Sequence, residues 1–222
     1  GLLITVFITP IIGARAVIPV LSVLMIVTNV SRICFFFSSL DARVVATIAA
    51  TAVPGAIVGA TAYVNLDQDA IQALLGAVLV LSVPLRRYVA GKRLVPGTWS
   101  LLAFGAGFGF LSSVTVGAGI LLIPMLLGAG LAGPALLVSD AAIGLIVNLT
   151  KVVMFGTYEV LTWPLVLMAL AMGLCTVPGT WVASWIVKRT DLRIHTVFME
   201  ILVVAGGLSM IRRAIASAWG GE

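Results

Sequence analysis

Charge is scarce in this chain: only 9% of its 222 residues are Asp, Glu, Lys or Arg, against roughly 25% in soluble domains. A chain so poor in polar side chains cannot cover a water-exposed surface. Histidine is scarcer still, with His195 alone, and the two cysteines, Cys34 and Cys175, lie in apolar runs without metal-ligand or redox spacing. Both cysteines read as buried small hydrophobes. No metal or other cofactor is expected from residues so few and so scattered. There is no HExxH, paired-Asp or GxSxG context either, so a nucleophile with its base is missing and the chain does not read as an enzyme. Acidic residues number 8 against 13 basic ones, but the basic surplus sits mostly at the ends of apolar runs. That placement orients a membrane protein and does not point to nucleic acid. No cleavable signal peptide is read in the sequence, which opens directly on GLLITVFITP with no initiating Met.

What is present is apolar surface. Hydrophobic residues make up 61% of the chain, and the mean hydropathy is +1.22. The fold class expected is all-α, a polytopic helical membrane protein whose partner is the lipid bilayer. Residues 1–12 are too short to cross it, which takes roughly 20 apolar residues. Helices are expected at about 16–37, 43–64 and 70–85, with an acidic turn at 65–69. The most polar segment, RRYVAGKRLVPG at 86–97, reads as a linker. Beyond it, helices are expected at about 99–116, 120–128, 136–155, 163–187 and 195–211. Gly105, Gly107 and Gly109 are expected to loosen the 99–116 helix, and the GAG at 117–119 to break it from the short segment that follows.

The chain repeats internally. Shifted by 119, residues 2–36 lie on 121–155 without a gap, with six identities in 35 positions. The chemistry recurs better than the identity does. Asn29 meets Asn148, and Arg32 meets Lys151. Further on, Val53-Pro54-Gly55 meets Val177-Pro178-Gly179, and Arg86-Arg87 meets Arg212-Arg213. The domains are therefore a first repeat at 1–85, a basic linker at 86–98 and a second repeat at 99–222. On this register Gly1 matches Ile120, so the first half reads as truncated before its own glycine motif. Pro54, Gly55, Pro178 and Gly179 are candidate hinges, because proline removes a helical hydrogen bond and glycine permits the bend. Orientation signals conflict. The basic 86–93 segment prefers the cytoplasm, which places the acidic turn at 65–69 outside, whereas the matching turn at 188–193 is basic and prefers the inside. These opposite preferences favour inverted halves, while the match of Arg212-Arg213 to Arg86-Arg87 favours parallel ones. Inverted repeats with broken half-helices at the glycine motifs are the reading adopted.

The candidate site follows from helix geometry. At about 100° per residue, Asp140, Gly144, Asn148 and Lys151 share one face of an apolar helix. Ahead of it, Gly117, Ala118 and Gly119 expose backbone where a helix restarts, and a helix start with its positive dipole end suits an anion. Small residues there also serve tight helix packing. Lys151 and its counterpart Arg32 either meet a ligand or snorkel to the interface. Ser112, Ser113 and Thr115 either offer hydroxyls to the same anion or bond back to their own helix. Asp140, replaced by Leu21 in the first half, is the candidate for ion coupling; it must pair, hydrate or protonate. A direct bond from it to Lys151 is excluded, since 11 residues of rise separates them by roughly 16 Å. Glu200, the other carboxylate in an apolar run, reads as a packing residue. Asn29, Arg32, Asn148 and Lys151 are expected to converge on a central cavity that faces Gly117 and Gly119.

With these residues in view, the chain resembles the TauE/SafE-type sulfite exporters and related organosulfur-anion permeases. The match is carried by VGAGILLIP, Val116 to Pro124, a Gly-rich motif five residues ahead of a proline. The doubled architecture, the basic mid-chain segment and the second-half Pro178-Gly179 step are also similar. Thr115 and Ala118 stand where that family commonly has glycine. The resemblance implies a secondary transporter of a small anion, of the sulfite or sulfonate class, in the bacterial inner (cytoplasmic) membrane, and a homodimer is compatible with it. The rival readings are a non-transporting membrane scaffold and an intramembrane enzyme.

Overall fold

Helix boundaries follow the local chemistry of the chain. The computed structural model describes residues 2–89, 96–187 and, near the C-terminus, 201, 204–209 and 211–212; side chains inside the helices are not described at 2–3, 35, 79, 82–83, 85–89, 120 and 177–187. All regular structure among the described residues is helical: α1 (Leu2–Ile12), α2 (Ala14–Phe36), α3 (Ala42–Val64), α4 (Gln68–Val89), α5 (Thr98–Val114), α6 (Gly119–Gly128), α7 (Gly133–Thr157) and α8 (Trp163–Val187), with a single 3-10 turn at Phe37–Ser39. Asp41 starts α3 by accepting the Val44 N–H at 3.0 Å, and Asp67 starts α4 by accepting the Ala70 N–H at 2.7 Å. Each carboxylate satisfies a donor that the first turn leaves open. Gly13, at φ +78°, separates α1 from α2, and Pro134 sits in the first turn of α7, where its missing N–H costs nothing.

Among the described residues, three helices have the length and apolarity to cross a bilayer: Ala14–Cys34, Ala42–Val64 and Gly133–Thr157. Thr98–Val114 and Trp163–Thr176 are shorter apolar segments. α2 begins at Ala14 and α7 at Gly133, 119 positions apart (133 − 14). These two helices run antiparallel. The late residue Arg32 of α2 meets the early residue Asp140 of α7, while Tyr63 bridges the two opposite ends, bonding to the Ala14 carbonyl at 3.0 Å and packing edge-on against Phe155.

The tightest seam joins α3 to α5. Gly55 and Gly59 on α3 and Gly105 and Gly109 on α5 form two small-xxx-small pairs, and a methyl on any of them would strike backbone of the other helix: Ala106, Phe110, Ile48 and Ala52 respectively. Without a hydrophobic force between helices in lipid, such close van der Waals contact is what holds them. Thr51 adds an interhelical hydrogen bond to the Leu102 carbonyl at 2.7 Å. This corrects the expectation that Gly105, Gly107 and Gly109 loosen their helix. α5 is continuous from Thr98 to Val114, and only Gly107 of the three has open space beside it.

Two further expectations change. Arg86 and Arg87 lie on α4, which continues to Val89, so the non-helical connection begins later than residue 86. Cys34 and Cys175 are exposed and not buried; in a chain whose outer surface meets lipid, a small apolar residue gains as much facing outward as inward. Pro54 lies inside an unbroken α3, and Gly55 packs against Ala106. Pro178 and Gly179 belong to the α8 backbone in the part whose side chains are not described. Residues 90–95, His195 and Glu200 lie outside the described residues.

Candidate functional site

A cavity of about 320 Å³ lies between α2, α7, the end of α5 and the turn into α6. That is the lower end of the roughly 300–1,000 Å³ typical of small-molecule sites. The cavity forms because the chain gives up helical structure beside it. α5 ends at Val114, Thr115 is extended, and Gly117 turns the chain at φ +93°, a left-handed value that favours glycine. α6 then starts at Gly119, and Ala118 at its N-cap has no side chain that could cap the first N–H groups. Gly117, Ala118 and Gly119 all line the cavity. A Cβ at Gly119 would meet nothing within 4 Å, so its glycine is not required by packing.

Lys151 reaches into the cavity from α7. It is 7% exposed, and its Nζ donates to the Ser112 carbonyl at 3.1 Å. That carbonyl belongs to the last turn of α5, where carbonyls lose their helical partners, so the ammonium caps the negative end of the α5 dipole. Snorkelling is therefore not what Lys151 does. An ammonium has three donors, of which this bond uses one. One turn earlier, Asn148 is also buried and lines the cavity, and its amide makes no hydrogen bond among the described residues.

Arg32 approaches from α2. Its Nη1 donates to Asp140 Oδ2 at 2.8 Å, and its Nη2 donates to Asn29 Oδ1 at 2.6 Å. The Asp140 carboxylate thus finds a partner that sequence spacing alone does not reveal, because the two residues are 108 positions apart on different helices. Gly144 makes room for this cluster: a Cβ there would lie 2.8 Å from Asn29 Nδ2. Asn29, Arg32, Asp140, Asn148 and Lys151 all line the one cavity.

The hydroxyls behave differently. Ser112 and Ser113 each donate to the Gly109 carbonyl at 3.0 Å, and Thr115 donates to the Leu111 carbonyl at 2.7 Å. Their protons are committed to α5, so in this arrangement they present oxygens and not donors. Ser112 and Thr115 line the cavity, whereas Ser113 is fully buried with its Cβ turned toward Gly59 of α3. Phe108, Met25 and Leu122 supply apolar wall. Sequence reasoning misses these three, because an apolar side chain looks the same whether it borders a cavity or fills a core.

In summed chemistry, the cavity offers two cations, one carboxylate, two side-chain amides and an uncapped helix start. A comparison with curated proteins and one with solved structures found no match. The family profile for the sulfite exporter TauE/SafE does match, over residues 1–210. With nearly the whole length covered, this membrane protein belongs to the sulfite exporter TauE/SafE family, a family of transporters.

Proposed function

We propose that the chain is a secondary transporter that moves a small oxyanion, of the sulfite or organosulfonate class, across the bacterial cytoplasmic membrane through the cavity between α2 and α7. The observation that carries this reading is the meeting of Lys151, Arg32 and the Asn148 amide, unbonded among the described residues, beside the uncapped start of α6. A sulfonate or sulfite presents three oxygens, which suits donors arriving from different helices, and charge inside a membrane protein is tolerated chiefly where it serves such a path. α5 and α6 act as two half-helices that interrupt a span at the site, an arrangement tolerated at membrane depth only where it lines a cavity. The antiparallel course of α2 and α7, which the sequence repeat equates, supports inverted halves that rock against each other around the site. Pro54, Gly55, Pro178 and Gly179 are the hinge positions in that motion.

The test is flux. Purified protein reconstituted into proteoliposomes is expected to accumulate labelled sulfite or a short sulfonate above protein-free vesicles, with loss of uptake when Lys151 is changed to Ala. Flux equal to protein-free vesicles, from protein shown to be inserted and folded, would favour the scaffold reading instead.

A further inference from the structure

Charge in the cavity is unequally spent. Arg32, Lys151 and Asp140 are the charged residues of its described lining, giving a formal balance of +1 when all three are ionised. Asp140 is bonded to Arg32 and so cancels one of the two cations before any ligand arrives. Lys151 is held by a carbonyl, which orients the ammonium without neutralising it. Among the described residues Arg32 and Asp140 form the one ion pair, so no carboxylate from elsewhere in them offsets Lys151. Part of the wall is apolar, with Phe108 and Leu122 among its residues.

We infer that the cavity is built for an anion of a single negative charge, and that Asp140 is the resident counter-anion that excludes doubly charged ligands. This rests on the reading of the cavity as an anion site and adds the valence of the ligand. A monoanion completes the balance at zero, the state that costs least around the buried Lys151, where screening is weakest. A dianion leaves one negative charge uncompensated beside Asp140. Among oxyanions of sulfur, the class selected is the hydrogensulfite or monosulfonate type, in preference to sulfite or sulfate as dianions. Arg32 keeps three of its five donors for the ligand while paired, and Asn29 holds it in place.

The probes are methanesulfonate and sulfate, whose charges stay fixed near neutral pH and whose anionic groups are similar in size. Binding is measured by calorimetry on the purified full chain in detergent, at constant ionic strength. Wild-type protein is expected to bind methanesulfonate at least tenfold more tightly than sulfate. In Asp140→Asn, which keeps the size of the side chain and removes its charge, that preference is expected to shrink at least tenfold. The wild-type comparison stands even where the variant fails to fold. Sulfate binding as tight as methanesulfonate in wild type, or an unchanged ratio in folded Asp140→Asn, overturns the valence inference and leaves the anion site standing. Binding of neither anion to wild type overturns the anion site and the inference together.

Discussion

The seam between α3 and α5 allows a prediction whose size can be worked from the structure. A methyl placed at Gly109 falls against the Ala52 carbonyl, with the Ala52 carbonyl carbon at 2.8 Å and its Cα at 2.9 Å. Carbon atoms pack comfortably at about 3.5–4.0 Å, so the carbonyl carbon alone forces the helices to part by roughly 0.7–1.2 Å at this point. Overpacking by one methylene typically costs about 1–3 kcal/mol. The upper half of that range applies here, because the contacts at Gly55, Gly59 and Gly105 lie along the same seam and loosen with it. Alanine also favours helix over glycine by about 0.5–1 kcal/mol. That gain must be removed from the comparison, and Gly107 provides the means: it lies in the same helix, two residues away, with nothing within 4 Å of an added Cβ. Gly107→Ala is therefore expected to be neutral or slightly stabilising. Gly109→Ala is expected to fall below it by about 2–3 kcal/mol, the helix preference cancelling between them. Unfolding by SDS in mixed micelles, followed by far-ultraviolet circular dichroism, reads both. Equal stability of the two variants would refute the close approach of α3 and α5.

Two further outcomes concern the cavity. Lys151→Ala is expected to weaken anion binding by about 1.5–3 kcal/mol, the range for a charge-assisted hydrogen bond, and Asn148→Ala by somewhat less; calorimetry on folded protein measures both, and unchanged affinity in the pair would leave these residues as packing. Gly144→Ala is expected to reduce anion affinity without altering any charge, because its methyl displaces the Asn29 amide that steadies Arg32; affinity equal to wild type would detach the Asn29–Arg32 cluster from the site.

The sequence is most informative where one physical signal acts alone. Continuous apolar runs bounded by Asp41 and by the acidic turn place α3 within a residue of its expected start, and Trp163–Val187 coincides with the run read at 163–187. The shared face of Asp140, Gly144, Asn148 and Lys151 is legible because helical periodicity needs no partner, and all four line the cavity. What cannot be read is what depends on a second element. The Arg32–Asp140 pair joins two helices 108 positions apart. Lys151 finds a backbone carbonyl, which has no sequence signature. Glycines in α5 look the same whether they loosen a helix or admit a neighbour, and only the position of α3 decides between these. Cys34 and Cys175 escape a hydropathy reading for a related reason: hydropathy places a residue out of water, and in lipid that includes the outer surface.

The two cations differ in their surroundings when compared at the sequence shift of 119. Arg32 and Lys151 occupy matching positions, each three residues after an Asn, yet their surroundings are unequal. Asp140 has Leu21 as its counterpart, so the first-half cation meets a carboxylate while the second-half cation has none in the matching place. The amides divide in the same way: Asn29 accepts from Arg32, whereas Asn148 makes no bond to Lys151. Met25 stands in the first half where Gly144 stands in the second, and that exchange lets the Asn29 side chain seat against α7 with no Cβ in its path. One arm of the cavity is thus a closed network whose charges cancel, and the other is a buried cation beside an unengaged amide and an uncapped helix start. An anion entering the cavity meets its strongest uncompensated field at the second arm. Lys151 should therefore govern affinity, while Arg32 and Asp140 govern which charge the ligand carries.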